Sequence, residues 1–339
     1  MKKVALIELF NYHSECLYSQ ISFLKDANVD PLLVVDQRLE KIVRELDLDV
    51  NLFVFDFKKI QSLLQLRSLI LKNKIEVVIL NTMQGSAALK FSLLPFPKQI
   101  KRVGILHDTS KLETSLGQKI IVRGFRNFYT LGKYIQVPDK PGLMTTYFNP
   151  CYFKKYETQP LDKQGSLWIV IPGSISYKRR SYDVLLDLAK HKGLKENVRF
   201  ILLGNITKED GLDFRSKIEA EGIQERFIVF DQFIPDGLFH SYLKAADYLL
   251  PLIHPDTPAA KQYTKNKISG LFPLAQAYGK TMLCHQIFEK VKDFEYPALF
   301  YQDIEGCVAL VSAARKKEHS VFPHYEEDRK RYLGLIDLV

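Results

Sequence analysis

The chain has 339 residues, 46% of them hydrophobic and 26% charged, with a formal net charge of +9. That composition excludes a disordered, fibrous or membrane-embedded protein. The length exceeds one typical core and suits two domains of roughly 150 residues each. The charge is uneven: residues 1–150 hold 21 Lys and Arg against 14 Asp and Glu, a net +7, and the remainder nets only +2. An excess of this kind predicts an anionic partner for the first half. The four cysteines, Cys16, Cys151, Cys284 and Cys307, form no CxxC pair. Neither a disulfide framework nor a zinc site is expected, and a reducing cytoplasm is the expected location.

The N-terminal MKKVALIELF reads as a buried strand, because Glu8 interrupts the apolar run too early for a signal peptide. No stretch reaches the roughly 20 apolar residues of a spanning helix. Residues 14–25 carry Leu17, Ile21 and Leu24 at helical spacing. PLLVVD is a second strand, 39–47 a short helix, NLFVFDF a third strand, and 58–73 an amphipathic helix. EVVILNT and KRVGILHD are continuous apolar runs, the pattern of parallel strands covered on both faces. This alternation predicts a doubly wound sheet.

Residues 147–165, with two prolines and several polar residues, break the pattern. A second series follows. LWIVIPGS, RFILLGN, FIVFDQFI, DYLLPLI and KTMLCHQ read as strands. Residues 181–192, 209–222, 236–246, 269–278, 304–317 and the tail from about 326 to 339 read as helices. The expected organisation is an N-terminal Rossmann-like domain at 1–148, a linker at 149–165, a second Rossmann-like domain at 166–318, and a C-terminal helix at 319–339 packing towards the first domain.

In open parallel sheets ligands bind beyond the carboxyl ends of strands. After LWIVI comes Pro172-Gly173-Ser174-Ile175-Ser176-Tyr177-Lys178-Arg179-Arg180. Small residues let the backbone approach a ligand, and three cations precede a helix N-terminus, which favours a diphosphate. Gly204-Asn205 closes the next strand, and Lys267, Ser269 and Gly270 precede a later helix. In the first half, His13 and Ser14, Asn81 and Thr82, and His107 and Asp108 each follow a strand. His107 beside Asp108 is the candidate general base and His13 the second. Lys119, Arg123 and Arg126 lie at helical spacing among aromatic and aliphatic residues, a pattern suited to an anionic membrane surface. No nucleic-acid-binding module is recognisable, and no nucleic-acid partner is expected.

The second half resembles the C-terminal domain of family-4-like bacterial glycosyltransferases. The resemblance rests on IPGSISYKRRSYDVLLDLA, RFILLGN, FIVFDQFIPDGLFHSYLKAADYLLPL and AQAYGKTML, in that order across residues 167–285. It implies the GT-B architecture: two Rossmann-like α/β domains facing each other across a cleft, with the last helix crossing back to the first. It further implies that Lys178 and Arg179 hold a donor diphosphate beside Gly173 and Ser174. The backbone around Phe233 and Ile234 would face the base, and Ser269 and Gly270 would approach the phosphates or sugar; Gly204, Asn205 and Lys267, read from the residues themselves, are further donor-binding candidates. The sequence departs from that family in having Ser174 where an arginine is usual, and in lacking carboxylates near Asn266 and Leu274, where a glutamate pair is usual.

The expected function is transfer of a sugar from a nucleoside-diphosphate sugar to a saccharide or lipid-linked acceptor in surface-polysaccharide synthesis. The acceptor side would be lined by Ser14, Asn81 and Thr82. No cofactor or metal is expected, and the location would be cytoplasmic, on the inner face of the membrane. Two alternatives stand: a nucleotide-sugar epimerase of the same fold, and a non-catalytic GT-B subunit or binding protein.

Overall fold

A computed structural model describes residues 2–139, 141–313 and 324–338. The chain forms two compact units. The first comprises Met1–Lys154, Asn266–Ile268 and His324–Val339, the second Lys155–Lys265 and Ser269–Pro323.

The first unit holds seven strands: β1 (Val4–Glu8), β2 (Leu32–Asp36), β3 (Asn51–Phe55), β4 (Val77–Leu80), β5 (Lys101–Ile105), β6 (Asn127–Thr130) and β7 (Met144–Tyr147). They form one sheet in the order β3-β2-β1-β4-β5-β6-β7, with every pairing parallel. Period-two alternation sends Val4 and Leu6 to the core on one face and Ala5 and Ile7 to the core on the other. The runs VALIE and VVIL are therefore buried throughout, as strands covered on both faces must be.

The second unit holds β8 (Leu167–Pro172), β9 (Val198–Asn205), β10 (Phe227–Phe230), β11 (Tyr248–Leu249), β12 (Thr281–His285) and β13 (Ala298–Tyr301). Their order is β10-β9-β8-β11-β12-β13, again parallel in every pairing. Its core includes Ile169, Ile171, Phe200 and Leu202 from the central strands. Each unit thus runs outward from its first strand, returns, and continues on the other side. That is the Rossmann-like order, and it creates a switch point between β1 and β4 and another between β8 and β11.

Several elements differ from the sequence reading. DYLLPLI pairs only over Tyr248–Leu249, since Pro251 has no N–H to continue the ladder. β6, β7 and β13 were not legible as strands. The helix read at 304–317 spans Ile304–Ser312, and residues 314–317 lie outside the described residues. Residues 148–163 form neither helix nor strand.

The C-terminal helix is Tyr325–Leu335; Val339 and residues 319–323 lie outside the described residues. The helix packs within the first unit. Buried Tyr332 stacks on Tyr129 at 4.8 Å between centroids and touches Phe148 and Phe23. Asp328, also buried, accepts hydrogen bonds from Tyr152 Oη at 2.9 Å and Arg331 Nη1 at 2.6 Å.

Candidate functional site

At the switch point of the first unit, β1 ends in Glu8, a carboxyl with no exposed surface. One oxygen accepts the Phe10 N–H at 2.8 Å, the other Asn81 Nδ2 at 2.7 Å and Thr82 Oγ1 at 2.6 Å. Burial pushes this carboxyl up to about 7, against the pull of its three donors. Asn81 is fully committed. Its amide also donates to His13 O at 2.8 Å, and its Oδ1 accepts from Gln20 Nε2 at 2.6 Å. Gln20 in turn accepts from Tyr332 Oη at 3.0 Å, which ties the C-terminal helix to this network.

The bond from Asn81 to His13 O holds an unusual backbone. His13 sits in the left-handed region (φ 65°, ψ 24°) just before the short 3-10 helix Ser14–Cys16, a conformation that histidine tolerates better than most residues. It brings the His13 ring onto His107, with centroids 3.7 Å apart and planes 19° from parallel. His107 lies beyond β5, and its Nε2 donates to Asn81 O at 2.8 Å. Burial, helped by the neighbouring His13, pushes His107 down to about 3. The ring is neutral at physiological pH, with its proton on Nε2, so the stacked pair carries at most one charge. His13 is the more accessible of the two, and its Nδ1 donates to Glu15 Oε1 at 3.1 Å. A carboxylate on one imidazole nitrogen leaves the other nitrogen's lone pair for proton transfer.

The residues expected here therefore separate into two groups. Asn81 and Thr82 are buried, and both donate from their side chains to Glu8. His107 and Asp108 do not form a dyad. Asp108 Oδ1 accepts from Ser110 N at 3.0 Å and Ser110 Oγ at 2.6 Å, because adjacent side chains diverge from an extended backbone. Ser14 is half-buried in the turn beside His13. Glu8 and Glu15 were not singled out in the sequence; an acidic residue ending an otherwise apolar strand at the switch point was the available signal for Glu8.

In the second unit, β8 ends at Pro172 and the chain turns at Gly173 with φ 100°, where a side chain would strain the backbone. Gly204, the penultimate residue of β9, packs so closely that a Cβ there would lie 2.2 Å from Gly173 O. The loop beyond is tied to the start of helix Gly211–Ala220: Asp210 Oδ2 accepts from Tyr177 N at 2.8 Å, and Asp210 N donates to Ile175 O at 3.1 Å. Asn205 Oδ1 accepts from Thr207 N and Oγ1 and serves its own turn.

The three cations divide. Arg179 is held by Glu209 at 2.7 Å and by Ser174 Oγ at 2.9 Å, so it is already neutralised. Lys178 is exposed. Arg180 donates from Nη2 to Pro172 O beneath the turn, while its buried Nη1 has no partner within hydrogen-bonding distance among the described residues. A buried donor atom left unmatched is costly, and in native proteins it calls for a specific explanation. Helix Tyr182–Lys190 starts two residues later, with no side-chain cap on its first N–H groups. Past β10, Phe233 is 82% exposed and Ile234 buried, which leaves one large aromatic face open at the carboxyl end of the sheet. Ser269 is buried and Gly270 precedes helix Leu271–Ala277 without a side-chain cap. Lys267 belongs to the first unit, where Tyr134 Oη donates to its carbonyl at 3.1 Å.

No family model matches the sequence, and no curated protein sequence matches it either. Solved structures do. A putative UDP-N-acetylglucosamine 2-epimerase from Listeria monocytogenes is similar with a TM-score of 0.63 at 12% identity, covering 99% of this chain and 96% of that one. Anabaena HepE in complex with UDP-glucose is similar with a TM-score of 0.64 at 13% identity, covering 100% and 97%. A glycosyltransferase from Rickettsia africae gives a TM-score of 0.61 at 12% identity, covering 99% and 95%. At such identities the likeness shows the fold alone: the two Rossmann-like units are those of the GT-B class.

Proposed function

We propose that this protein is a nucleotide-sugar-dependent glycosyltransferase, moving a sugar from a nucleoside-diphosphate sugar to a hydroxyl of a saccharide or lipid-linked acceptor. The observation that carries the reading is Arg180, a guanidinium with a buried, unmatched Nη1 under a glycine turn and at a free helix N-terminus. Phosphate oxygens satisfy that kind of donor set, and negative charge gathers on a diphosphate as its bond to the sugar breaks. Lys178 and the backbone of Gly173 and Ser174 would complete the diphosphate site, and the exposed Phe233 ring offers a face to the base. UDP-glucose bound to HepE, a protein of the same fold, supports a nucleotide sugar as ligand.

On the first unit, His13 is the proton acceptor. Glu15 holds its Nδ1–H, and Nε2 is left to take the proton of an acceptor hydroxyl. No cofactor or metal takes part in this scheme. A second reading, epimerisation of a free nucleotide sugar, draws support from the epimerase among the similar structures and from the Glu8 carboxyl poised near neutral pH.

Thermal shift with UDP, GDP, CDP and ADP tests the donor site, because a ligand that binds only the native state raises the melting temperature. One diphosphate should stabilise the wild type and Arg179→Ala, and lose its effect in Arg180→Ala. No shift with any of the four at saturating concentration sinks the donor site. With the matching nucleotide sugar, His13→Ala should lower kcat about 100-fold or more. Glu15→Gln should also lower kcat, since the amide holds the Nδ1–H less firmly and the imidazole loses its fixed orientation. Sugar isomerisation without any acceptor would select the epimerase reading.

A further inference from the structure

Away from both switch points, helix Leu116–Phe125 of the first unit borders an open pocket of about 360 Å³. Lys119, Arg123 and Arg126 line it, together with the apolar side chains of Leu112, Val122 and Leu143. Among the described residues no carboxylate lines the pocket, and none of the three cations forms an ion pair. Arg126 takes a left-handed backbone (φ 61°) at the end of the helix, and its carbonyl accepts the Met144 N–H at 2.9 Å, which seats the 142–144 segment against the helix end.

The same helix exposes a second stripe. Leu116 is 77% and Ile120 45% exposed, one turn apart and alongside the Lys119–Arg123 stripe. Single exposed aliphatics need no explanation, but here an apolar stripe, a cationic stripe and a pocket of mixed character lie on one element. A free inorganic anion would account for the cations and not for the apolar walls or the exposed leucine and isoleucine. A headgroup phosphate with its acyl chains accounts for all of them: the cations pair with the phosphate while the apolar residues enter the interface.

We propose that this pocket and stripe bind the phosphate headgroup of anionic membrane lipid, seating the first unit on the bilayer surface. No described helix is long and apolar enough to cross a membrane, so the contact is peripheral. The site uses none of the residues assigned to sugar transfer and stands whether or not that assignment holds.

The test is co-sedimentation of the full chain, without nucleotide, with vesicles of phosphatidylglycerol or of phosphatidylcholine, at low and high salt. Wild type should sediment with phosphatidylglycerol only, and less so at high salt. The double substitution Arg123→Gln, Arg126→Gln should weaken binding about thirtyfold, at roughly 1 kcal/mol per cation near an anionic surface. Leu116→Ser with Ile120→Ser should also weaken it, while both variants keep the wild-type melting temperature. The proposal is overturned by equal binding to the two vesicle types, by no binding, or by variants that bind as wild type. Competition by inorganic phosphate at equal phosphate concentration, with the apolar variant unaffected, would reduce the pocket to a simple anion site and likewise overturn it.

Discussion

Glu8 shows how little a single residue says before its neighbours are known. In the sequence it only interrupts an apolar run; in the fold it is a fully buried carboxyl at the switch point, met by donors from just past β4, about seventy residues later. Its folded pKa, raised from the ordinary 4.5 to about 7, fixes the sign of its contribution. That contribution is complete below pH 4.5 and is lost as pH rises through 7, because ionisation is harder in the folded state. His107 has the opposite sign: its pKa is lowered from 6.5 to about 3, so its contribution is present above 6.5 and lost as pH falls. Comparison with Glu8→Gln isolates the carboxyl. Between pH 4.5 and 8 the variant should gain about 3 kcal/mol on the wild type in urea unfolding. A constant difference across that range would show that Glu8 titrates normally. Carbon NMR titration should further show Thr82→Val moving Glu8 above its wild-type pKa, since that variant removes a donor to the charged form.

Among the elements, the strands most clearly read from sequence were those buried on both faces, such as VVIL and LWIVI, because continuous apolar runs have few other uses in a soluble α/β chain. The edge strands β7 and β13 escaped, since an exposed or polar-containing edge such as MTTY has no comparable pattern, and the interior strand β6 is only the four residues NFYT, too short to show one. The glycine turn was legible as a candidate site, but the reason for Gly204 was not. Only the pairing of β8 with β9 brings it against the Gly173 carbonyl. Gly204→Ala should therefore destabilise the protein by about 1–3 kcal/mol through overpacking. It should also weaken diphosphate binding by displacing the turn. Wild-type stability and nucleotide affinity in this variant would mean that the two strand ends part at no cost.

The molecule as a whole has separate cores in its two units, and the C-terminal helix adds to the first of them. Tyr332 is the main anchor: its ring stacks on Tyr129, Tyr129 Oη donates to its carbonyl at 2.5 Å, and its own hydroxyl reaches Gln20. Tyr332→Ala should cost about 3–5 kcal/mol. Hydrogen exchange should show lost protection in β1, β4 and β6 and unchanged protection in β8 and β9. Loss spread evenly over both units would contradict a local role for this helix.

The sequence by itself determined the class of architecture. Alternating apolar runs and amphipathic helices, repeated twice on either side of a polar stretch, admit few arrangements other than two doubly wound sheets, and ligand sites in such sheets lie past the strand ends. That reasoning reached His13, Gly173 and the cations at 178–180 as candidates. It could not divide their roles. Arg179 and Arg180 are neighbours of the same chemistry, and only the folded loop pairs the first with Glu209 and leaves the second with a buried, unmatched donor. His107 and Asp108 are adjacent in sequence yet do not interact, whereas His13 and His107, ninety-four positions apart, stack. Periodicity depends on the residue and its near neighbours, so it survives in the sequence; hydrogen-bond partners and pKa values depend on what the fold brings alongside, and only the tertiary structure decides them.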